Sequence, residues 1–204
     1  MDKYFNIIIV VIISCFVIFF SFACDLGTRY APSPSPGVLR VTLQADFEDT
    51  FIIVGNDTLV VSLEDRFELT VYQGKIYNGD NYAFLFEDTT SYSIEDLTYN
   101  IFEIDSLENK YKKFTIYESY LSPRDYDRIQ FGITPGILEI GDFTIPVKVP
   151  NGTNPIFDFF HDIQILENTI TEINIQISPF KSVFRYRDLY HFIPLAEIIS
   201  VNYF

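Results

Sequence analysis

From residue 38 to the C-terminus, apolar side chains recur at every second position, and this period is the feature that most constrains the fold. The clearest case is the segment VLRVTLQ at residues 38–44, in which leucine and valine alternate with polar residues. Successive side chains of a strand point to opposite faces, so each such segment predicts a half-buried strand. No stretch has the 3.6-residue period of an amphipathic helix, and abundant Phe and Tyr also favour strands.

Turn residues divide residues 38–204 into about ten short antiparallel strands, which predicts an all-β sandwich. The Thr-Pro-Gly sequence at 134–136 is predicted as a turn, and Pro194 as an edge position or bulge within a last strand over 190–201. The segments that carry this interpretation are 38–44, 51–54 and 59–63 around the turn 55–58, 67–72, 75–77, 82–86, 126–133, 137–140, 143–149, 156–166 and 170–177.

The first 24 residues predict a lipoprotein signal peptide. The apolar run at 7–20 has the length of a signal-peptide core and follows Lys3. It ends in Ser-Phe-Ala-Cys, and small residues three and one positions before Cys24 resemble the lipobox of bacterial lipoproteins. That resemblance implies a lipid on Cys24 after cleavage, and therefore attachment to the outer face of a bacterial membrane.

Three alternatives to lipidation at Cys24 stay open. The sequence Ile-Ile-Ser before Cys15 also fits a lipobox, although the apolar run before it is only about half the usual length. An ordinary signal peptidase would leave a soluble secreted domain instead. A retained leader would act as an anchor, since residues 7–23 lie at the lower limit of a membrane span.

Residues 25–37 predict a tether between the leader and the domain. Three alternating prolines at 32, 34 and 36 favour polyproline II, which would hold the domain about 20 Å from the anchor. The domain of residues 38–204 contains no cysteine, because both cysteines of the chain lie in the leader. It can therefore form no internal disulfide.

The formal net charge of −14 predicts which partners are unfavourable. Such an acidic chain repels phosphate backbones, so we expect no nucleic-acid partner. The expected partners are the membrane, through the lipid on Cys24, and a protein or glycan at the cell envelope. No motif calls for a cofactor.

Three stretches resemble the bacterial and archaeal lipoprotein family known as domain of unknown function 4382. They are the run LSPRDYDRIQF at 121–131, the strand end PVKVPNG at 146–152, and the closing pair at 171–177 and 190–198, where Phe-Ile-Pro precedes the last strand. The resemblance covers about residues 99–200 and, more weakly, 38–46. It implies a lipobox followed by an immunoglobulin- or transthyretin-like sandwich, and it brings no catalytic residue.

Few residues offer chemistry beyond binding. His161 with Asp158 and Asp162 is a candidate metal or acid–base site, but residues three apart in a regular strand face opposite sides. His191, between two aromatic residues, is interpreted as strand packing. The candidate calcium loops are residues 46–49, 78–81 and 105–109, and the candidate glycan- or protein-binding tyrosines are Tyr72, Tyr77, Tyr82, Tyr92, Tyr99, Tyr117 and Tyr120.

The sequence therefore predicts a lipid-anchored, non-enzymatic binding, adhesion or assembly module of the cell envelope. Two other classes remain as alternatives. One is an envelope hydrolase or metal-dependent enzyme built from the acidic loops and His161. The other is a carrier of a lipid or small ligand between the sheets.

Overall fold

The strands of this chain are long where apolar residues alternate over many positions and short where turn residues interrupt them. The computed structural model describes residues 33–90, 96–105 and 110–204. Their strands are β1 Gly37–Ala45, β2 Phe51–Val54, β3 Asp57–Val60, β4 Arg66–Asn78, β5 Asn81–Phe84, β6 Leu97–Asn100, β7 Ile104–Asp105, β8 Lys110–Tyr111, β9 Phe114–Leu121, β10 Arg124–Ile140, β11 Phe143–Lys148, β12 Ile156–Ile165, β13 Ile170–Ile177, β14 Val183–Tyr186, β15 Leu189–Phe192 and β16 Ala196–Tyr203.

Two main sheets contain most of these strands. One has four strands in the order β16-β13-β1-β9. The other has eight, in the order β14-β15-β11-β10-β4-β5, with β12 also pairing with β10 and β6 also pairing with β4. Two separate hairpins, β2-β3 and β7-β8, complete the described strands.

The two sheets bury their inner faces in one hydrophobic core, as in a sandwich. The inner side chains of β1 and β13, such as Leu43 and Ile175, are fully buried. So are Leu69 of β4 and Phe131 of β10 from the eight-stranded sheet. This confirms the predicted all-β class, although the described strands outnumber the ten that the sequence predicted.

Several predicted boundaries are wrong. The segments 67–72 and 75–77 form one strand, β4, and the segment predicted at 59–63 is β3 at Asp57–Val60. The Thr-Pro-Gly sequence at 134–136 lies inside β10, because a bulge in the register between Pro135 and Leu138 absorbs it. The predicted last strand over 190–201 is two strands, β15 and β16, which belong to different sheets. The chain crosses between the sheets at Pro194, which has no N–H to donate to a ladder.

The prediction of antiparallel pairing is also incomplete. β1 pairs in parallel with β13 and antiparallel with β9, while β11 and β15 form a second parallel pair. Alternation specifies which face of a strand is buried, but it does not specify the direction of the neighbouring strand.

The predicted leader and most of the predicted tether lie outside the described residues. Only the end of the tether is described, where Ser33, Pro34, Ser35 and Pro36 are exposed. The carbonyl oxygen of Pro36 accepts a hydrogen bond from the amide of Asn168. The tether therefore joins the sandwich beside the turn that precedes β13. The described part of the chain includes no helix that could cross a membrane.

Candidate functional site: an aromatic platform on the eight-stranded sheet

Strand register places two parallel rows of side chains across the outer face of the eight-stranded sheet. The first row runs over four strands, from Phe160 through Arg128 and Tyr77 to Tyr82. The second row lies two residues further along each strand. It consists of Asp158, Gln130, Lys75 and Phe84. We call these eight side chains the aromatic platform.

The aromatic rings of the platform are exposed and lie close together. Phe160 is 75% exposed, and Tyr82 is 53% exposed. The ring centroids of Tyr77 and Tyr82 are 5.5 Å apart, and Tyr82 meets Phe84 edge to face at 5.3 Å. Large aromatic rings bury much of their area in an ordinary sandwich, so this exposed group is a candidate for binding.

Arg128 fills the space between two of these rings. Its guanidinium carbon lies 3.9 Å from the ring centroid of Tyr77 and 5.5 Å from that of Phe160. Such cation–π contacts hold the side chain flat against the sheet. The Nε atom of Arg128 is buried without a hydrogen-bond partner.

Lys75 is the second cation of the platform. Its ammonium nitrogen lies 4.8 Å from the ring centroid of Tyr82 and 5.7 Å from that of Phe84. No ion pair joins it to any carboxylate of the described residues. Lys75 therefore presents a positive charge that the described part of the protein leaves uncompensated.

A hydrogen-bonded chain fixes the polar members of the platform. The hydroxyl of Tyr77 donates to Oε1 of Gln130 over 3.0 Å, and Nε2 of Gln130 donates to Oδ1 of Asp158 over 2.8 Å. The same carboxylate oxygen lies 3.5 Å from Nη1 of Arg128. Side chains held in this way lose little further freedom when a ligand binds.

A cleft of about 210 Å³ adjoins the platform at Tyr82. Its wall includes two further tyrosines, two exposed asparagines and Arg124. The lining residues are Asn78, Asn81, Tyr82, Ala83, Tyr120, Leu121, Ser122, Arg124 and Tyr126. Tyr120 is 60% exposed. Burial raises the pKa of Tyr126 and Arg124 partly offsets that rise, so the phenol stays protonated at neutral pH and donates to the carbonyl of Ser122.

The platform and cleft can stack and hydrogen-bond a ligand. Their groups are ring faces, phenols, amides, cations and the carboxylate of Asp158. Within residues 33–90, 96–105 and 110–204 there is no cluster of three or more His, Cys, Asp or Glu side chains that could hold a metal ion.

The candidate site at His161 rests on the closeness of Asp158, His161 and Asp162 in sequence, and the parity expectation that Asp158 and His161 face opposite sides is wrong. His161 and Asp162 form a bulge opposite Asp127, because the register jumps between Tyr126 and Arg128. Asp158, His161 and Asp162 are consequently all exposed instead of alternating. Asp158 is engaged by Gln130 and Arg128 and belongs to the platform.

His191 packs as predicted. Its ring stacks on Phe184 with centroids 5.6 Å apart, and Tyr186 lies at 6.2 Å. Both neighbours come from β14, the strand that pairs with the strand of His191. Its Nδ1 atom is buried without a partner.

The first acidic loop uses its carboxylates as structural acceptors. Asp49 accepts the backbone amides of Phe180 and Lys181 at 2.7 and 3.0 Å. Asp46 accepts from Ser178 and forms an ion pair with Lys181. These contacts attach the loop to the segment after β13, so its oxygens already have donors.

The other two acidic loops are less informative. Residues 78–81 contain the turn between β4 and β5, in which the amide of Gly79 donates to Asp127. Gly79 has a positive φ of 57°, which glycine adopts without strain. Of residues 105–109, only Asp105 belongs to the described part of the chain.

The predicted tyrosines separate into two groups. Tyr77, Tyr82 and Tyr120 belong to the platform or the cleft, whereas Tyr117 lies in the core, where burial raises its pKa. Tyr72 and Tyr99 are half-buried; burial, with Glu87 adding to it, raises the pKa of Tyr99 to about 12. Tyr92 lies outside the described residues.

The sequence analysis missed Lys75, Phe84, Arg128 and Phe160. A signal for the first two existed, because Lys75 and Tyr77 precede the predicted turn with the same parity that Tyr82 and Phe84 have after it. A tight turn there pairs Tyr77 with Tyr82 and Lys75 with Phe84. Arg128 and Phe160 join through long-range register, which no local pattern contains.

Comparison with known proteins finds no match among protein-family models, curated proteins or solved structures. The resemblance to domain of unknown function 4382 therefore stays a prediction. The function of the chain has to be argued from its own residues.

Proposed function

We propose that this chain is a lipid-anchored, non-enzymatic binding module of the cell envelope. Cys24 carries the lipid, residues 25–37 form the spacer, and the aromatic platform with its adjoining cleft forms the binding surface. The observation that supports binding most strongly is the row from Phe160 to Tyr82, whose two end rings are exposed. Beside it, Lys75 of the second row lies over Tyr82 and forms no ion pair among the described residues.

The cleft lies at one end of the sandwich. β1 begins at Gly37, which pairs with Leu121 of β9, and Leu121 also lines the cleft. The cleft therefore lies at the end of the sandwich that the tether enters.

The anchor is tested by lipid labelling. We expect Cys24→Ala to abolish incorporation of radiolabelled palmitate and to release the chain from the membrane fraction. Cys15→Ala is the matched control, because its cysteine lies in the competing lipobox, and it should leave labelling unchanged. Labelling that survives Cys24→Ala but is lost with Cys15→Ala would contradict the proposed anchor.

The binding surface is tested with the full chain in lipid vesicles on an array of envelope polysaccharides. We expect Tyr82→Ala to remove binding, since Tyr82 belongs to both the platform and the cleft. Tyr203→Ala is the control, because Tyr203 is 50% exposed on β16 of the four-stranded sheet, against 53% for Tyr82. Equal losses in the two variants, with both still folded by circular dichroism, would contradict the proposed surface.

A further inference from the structure

We infer that two copies of this chain pair through β16, the outer strand of the four-stranded sheet, as antiparallel neighbours related by a two-fold axis at Asn202. The inference goes beyond the proposed ligand surface, which lies on the other sheet. It is carried by a comparison of the edge strands of the two main sheets, because β16 is the one long edge among the described residues that nothing protects. An unprotected edge is a template for a further strand.

The other edge strands of the described residues are short or covered. β5, β6 and β14 have four residues each. β9 has eight, but its outer edge is hydrogen-bonded, since the amide of Glu118 donates to the carbonyl of Phe86. β12 has ten, but it carries the charges of Asp158 and Asp162, the latter in a bulge. Short lengths, charges and bulges are the devices that keep sheet edges from pairing.

β16 has eight residues and lacks those devices over most of its length. Its only charged residue is Glu197, near its start, and every side chain in residues 198–204 is neutral. One bulge interrupts the ladder at Ile199, and residues 200–204 are regular. The middle of that regular stretch is Asn202. A second strand that pairs with it symmetrically is therefore centred there.

The free backbone groups of this stretch lie at Val201 and Tyr203. Phe204 and Ile170 exchange both of their backbone hydrogen bonds in the ladder between β16 and β13. Bonded and unbonded positions alternate in an antiparallel ladder, so Asn202 also faces β13, while Val201 and Tyr203 point to the outer edge. In the symmetric pair, Val201 of one copy lies opposite Tyr203 of the other, and each such pair exchanges its N–H···O bonds.

The side chains at this edge are complementary to their own copies. Val201 and Tyr203 pair with fully buried residues of β13 and therefore point to the core side of the sheet. Val201 is only half-buried there, and Tyr203 is 50% exposed, so a second β16 would cover both. Asn202 would meet its own copy, and two identical amides can bond because each donates and accepts. Any strand can use the free backbone groups, but this match of side chains is specific to a second β16.

The charge of the chain is compatible with a second copy at this edge. Two chains of net charge −14 repel each other, so copies can approach closely only where the contact itself is uncharged. In the register centred on Asn202, Glu197 lies outside the paired stretch, and no charged side chain lies opposite another. The contact is smaller than the roughly 800 Å² per partner of a standard interface, so we expect a weak dimer, with a dissociation constant of micromolar order.

Sedimentation velocity of the full chain in detergent micelles, over a range of protein concentrations, tests the pairing. We expect a reversible dimer whose dissociation constant rises at least about tenfold in Tyr203→Lys, because lysine is a residue that natural sheets use to block edges. Tyr186→Lys is the matched control, since Tyr186 is 58% exposed on the short edge strand β14, and it should leave the dimer unchanged. A chain that is monomeric at every concentration, or a dimer that a folded Tyr203→Lys variant leaves intact, would overturn the inference.

A second measurement does not depend on how well Tyr203→Lys folds. Asn202→Cys places a thiol at the symmetry axis, where facing Cα atoms of an unbonded antiparallel pair lie about 4.5 Å apart, within the range of a disulfide. Mild oxidation of the full chain in membranes of the expressing cells should give a product of twice the chain mass. The unmodified chain gives the background from Cys15 and Cys24, and His161→Cys on the protected edge β12 should not exceed it.

The cross-linked product decides which partner occupies the edge. No product above the background would overturn the pairing. A product of another mass would overturn the second copy and assign the edge to a different protein. Neither result affects the proposed ligand surface, which the polysaccharide array tests independently.

Discussion

The outer faces of the two sheets have opposite chemistry. On the four-stranded sheet, Arg40 pairs with Glu118 at 2.5 Å, and Lys113 donates to Glu172 at 3.0 Å. Beside them, Thr42 donates to Asn174, which in turn donates to Ser200. The polar groups of that face are therefore paired with one another. On the eight-stranded sheet, the platform leaves rings and a cation exposed to solvent.

This contrast shows that the inward side chains of a strand determine how the core packs, whereas the outward side chains determine what the surface can bind. Both sheets bury aliphatic and aromatic side chains, and from the inside they are equivalent halves of one core. Only the outward residues distinguish them. A face whose polar groups are mutually paired contributes to stability, whereas a face with unpaired groups is available for a ligand.

The largest expected effect separates an inner glycine from an outer one. A Cβ at Gly74 would lie 2.5 Å from the ring of buried Tyr117, and one at Gly132 would lie 2.2 Å from the ring of half-buried Tyr72. We expect Gly74→Ala to lower the free energy of unfolding by about 3 kcal/mol, because Tyr117 has no room to move. Gly132→Ala should cost about 1 kcal/mol or less, because the ring of Tyr72 can swing outward. Urea denaturation measures both, and equal costs would contradict the distinction.

The second effect concerns the paired face. Burial raises the pKa of Glu172, but the hydrogen bond and charge of Lys113, with Asn174 and Arg40, outweigh it and lower the pKa below its ordinary value. A lowered pKa stabilises the folded state above the unfolded pKa, and this contribution is lost as pH falls through the folded pKa. We expect Glu172→Gln to cost about 1–2 kcal/mol at pH 7 and to cost less as the solution is acidified.

The control for that variant is Glu197→Gln, since Glu197 is exposed on the neighbouring strand β16 and forms no ion pair among the described residues. Its stability should follow that of the unmodified chain at each pH. A cost of Glu172→Gln that stays constant down to acidic pH would contradict the electrostatic explanation.

A smaller effect is expected where the platform is held by hydrogen bonds. Tyr77→Phe removes the hydroxyl that donates to Gln130 and keeps the ring under Arg128. We expect a loss of about 1 kcal/mol in unfolding free energy, measured by urea denaturation, and weaker binding on the polysaccharide array. Tyr186→Phe is the control, because Tyr186 is 58% exposed on β14, and it should change neither quantity.

The smallest effect is predicted for the stability of the Lys75→Gln variant. Because Lys75 has no ion pair with the described residues, its replacement should change the free energy of unfolding by less than about 0.5 kcal/mol. A substantial loss of stability would mean that Lys75 stabilises the folded state. The polar groups of both outer faces would then contribute to stability, which would contradict the contrast between them.

Sequence alone predicts the local features of this fold, which are its strands and tight turns. Period-two alternation gives β13 with the observed bounds, Ile170–Ile177, and places β1 within one residue at each end. It finds the β2-β3 hairpin, but β3 begins at Asp57, two residues before the predicted strand. It fails at Pro135, where a bulge keeps one strand continuous, and at Pro194, where the chain changes sheets. Bulges and sheet membership depend on distant partners, which the local pattern does not contain.

The candidate site is predictable only in part for the same reason. Tyr77 and Tyr82 are close in sequence, and a recognisable turn between them places them opposite each other. Arg128 and Phe160 reach the same row through pairing between β4, β10 and β12. The bulge at His161 has the same origin, and it removes the strand parity that predicted opposite faces for Asp158 and His161.

The central claim is that the eight-stranded face, and not the four-stranded face, binds the ligand. Amide NMR of the isotope-labelled full chain in detergent micelles, titrated with a polysaccharide that binds on the array, tests it directly. We expect chemical-shift changes at Lys75, Tyr77 and Tyr82, with none at Glu172 on the opposite face. Changes centred on Arg40, Glu118 and Glu172 would contradict it.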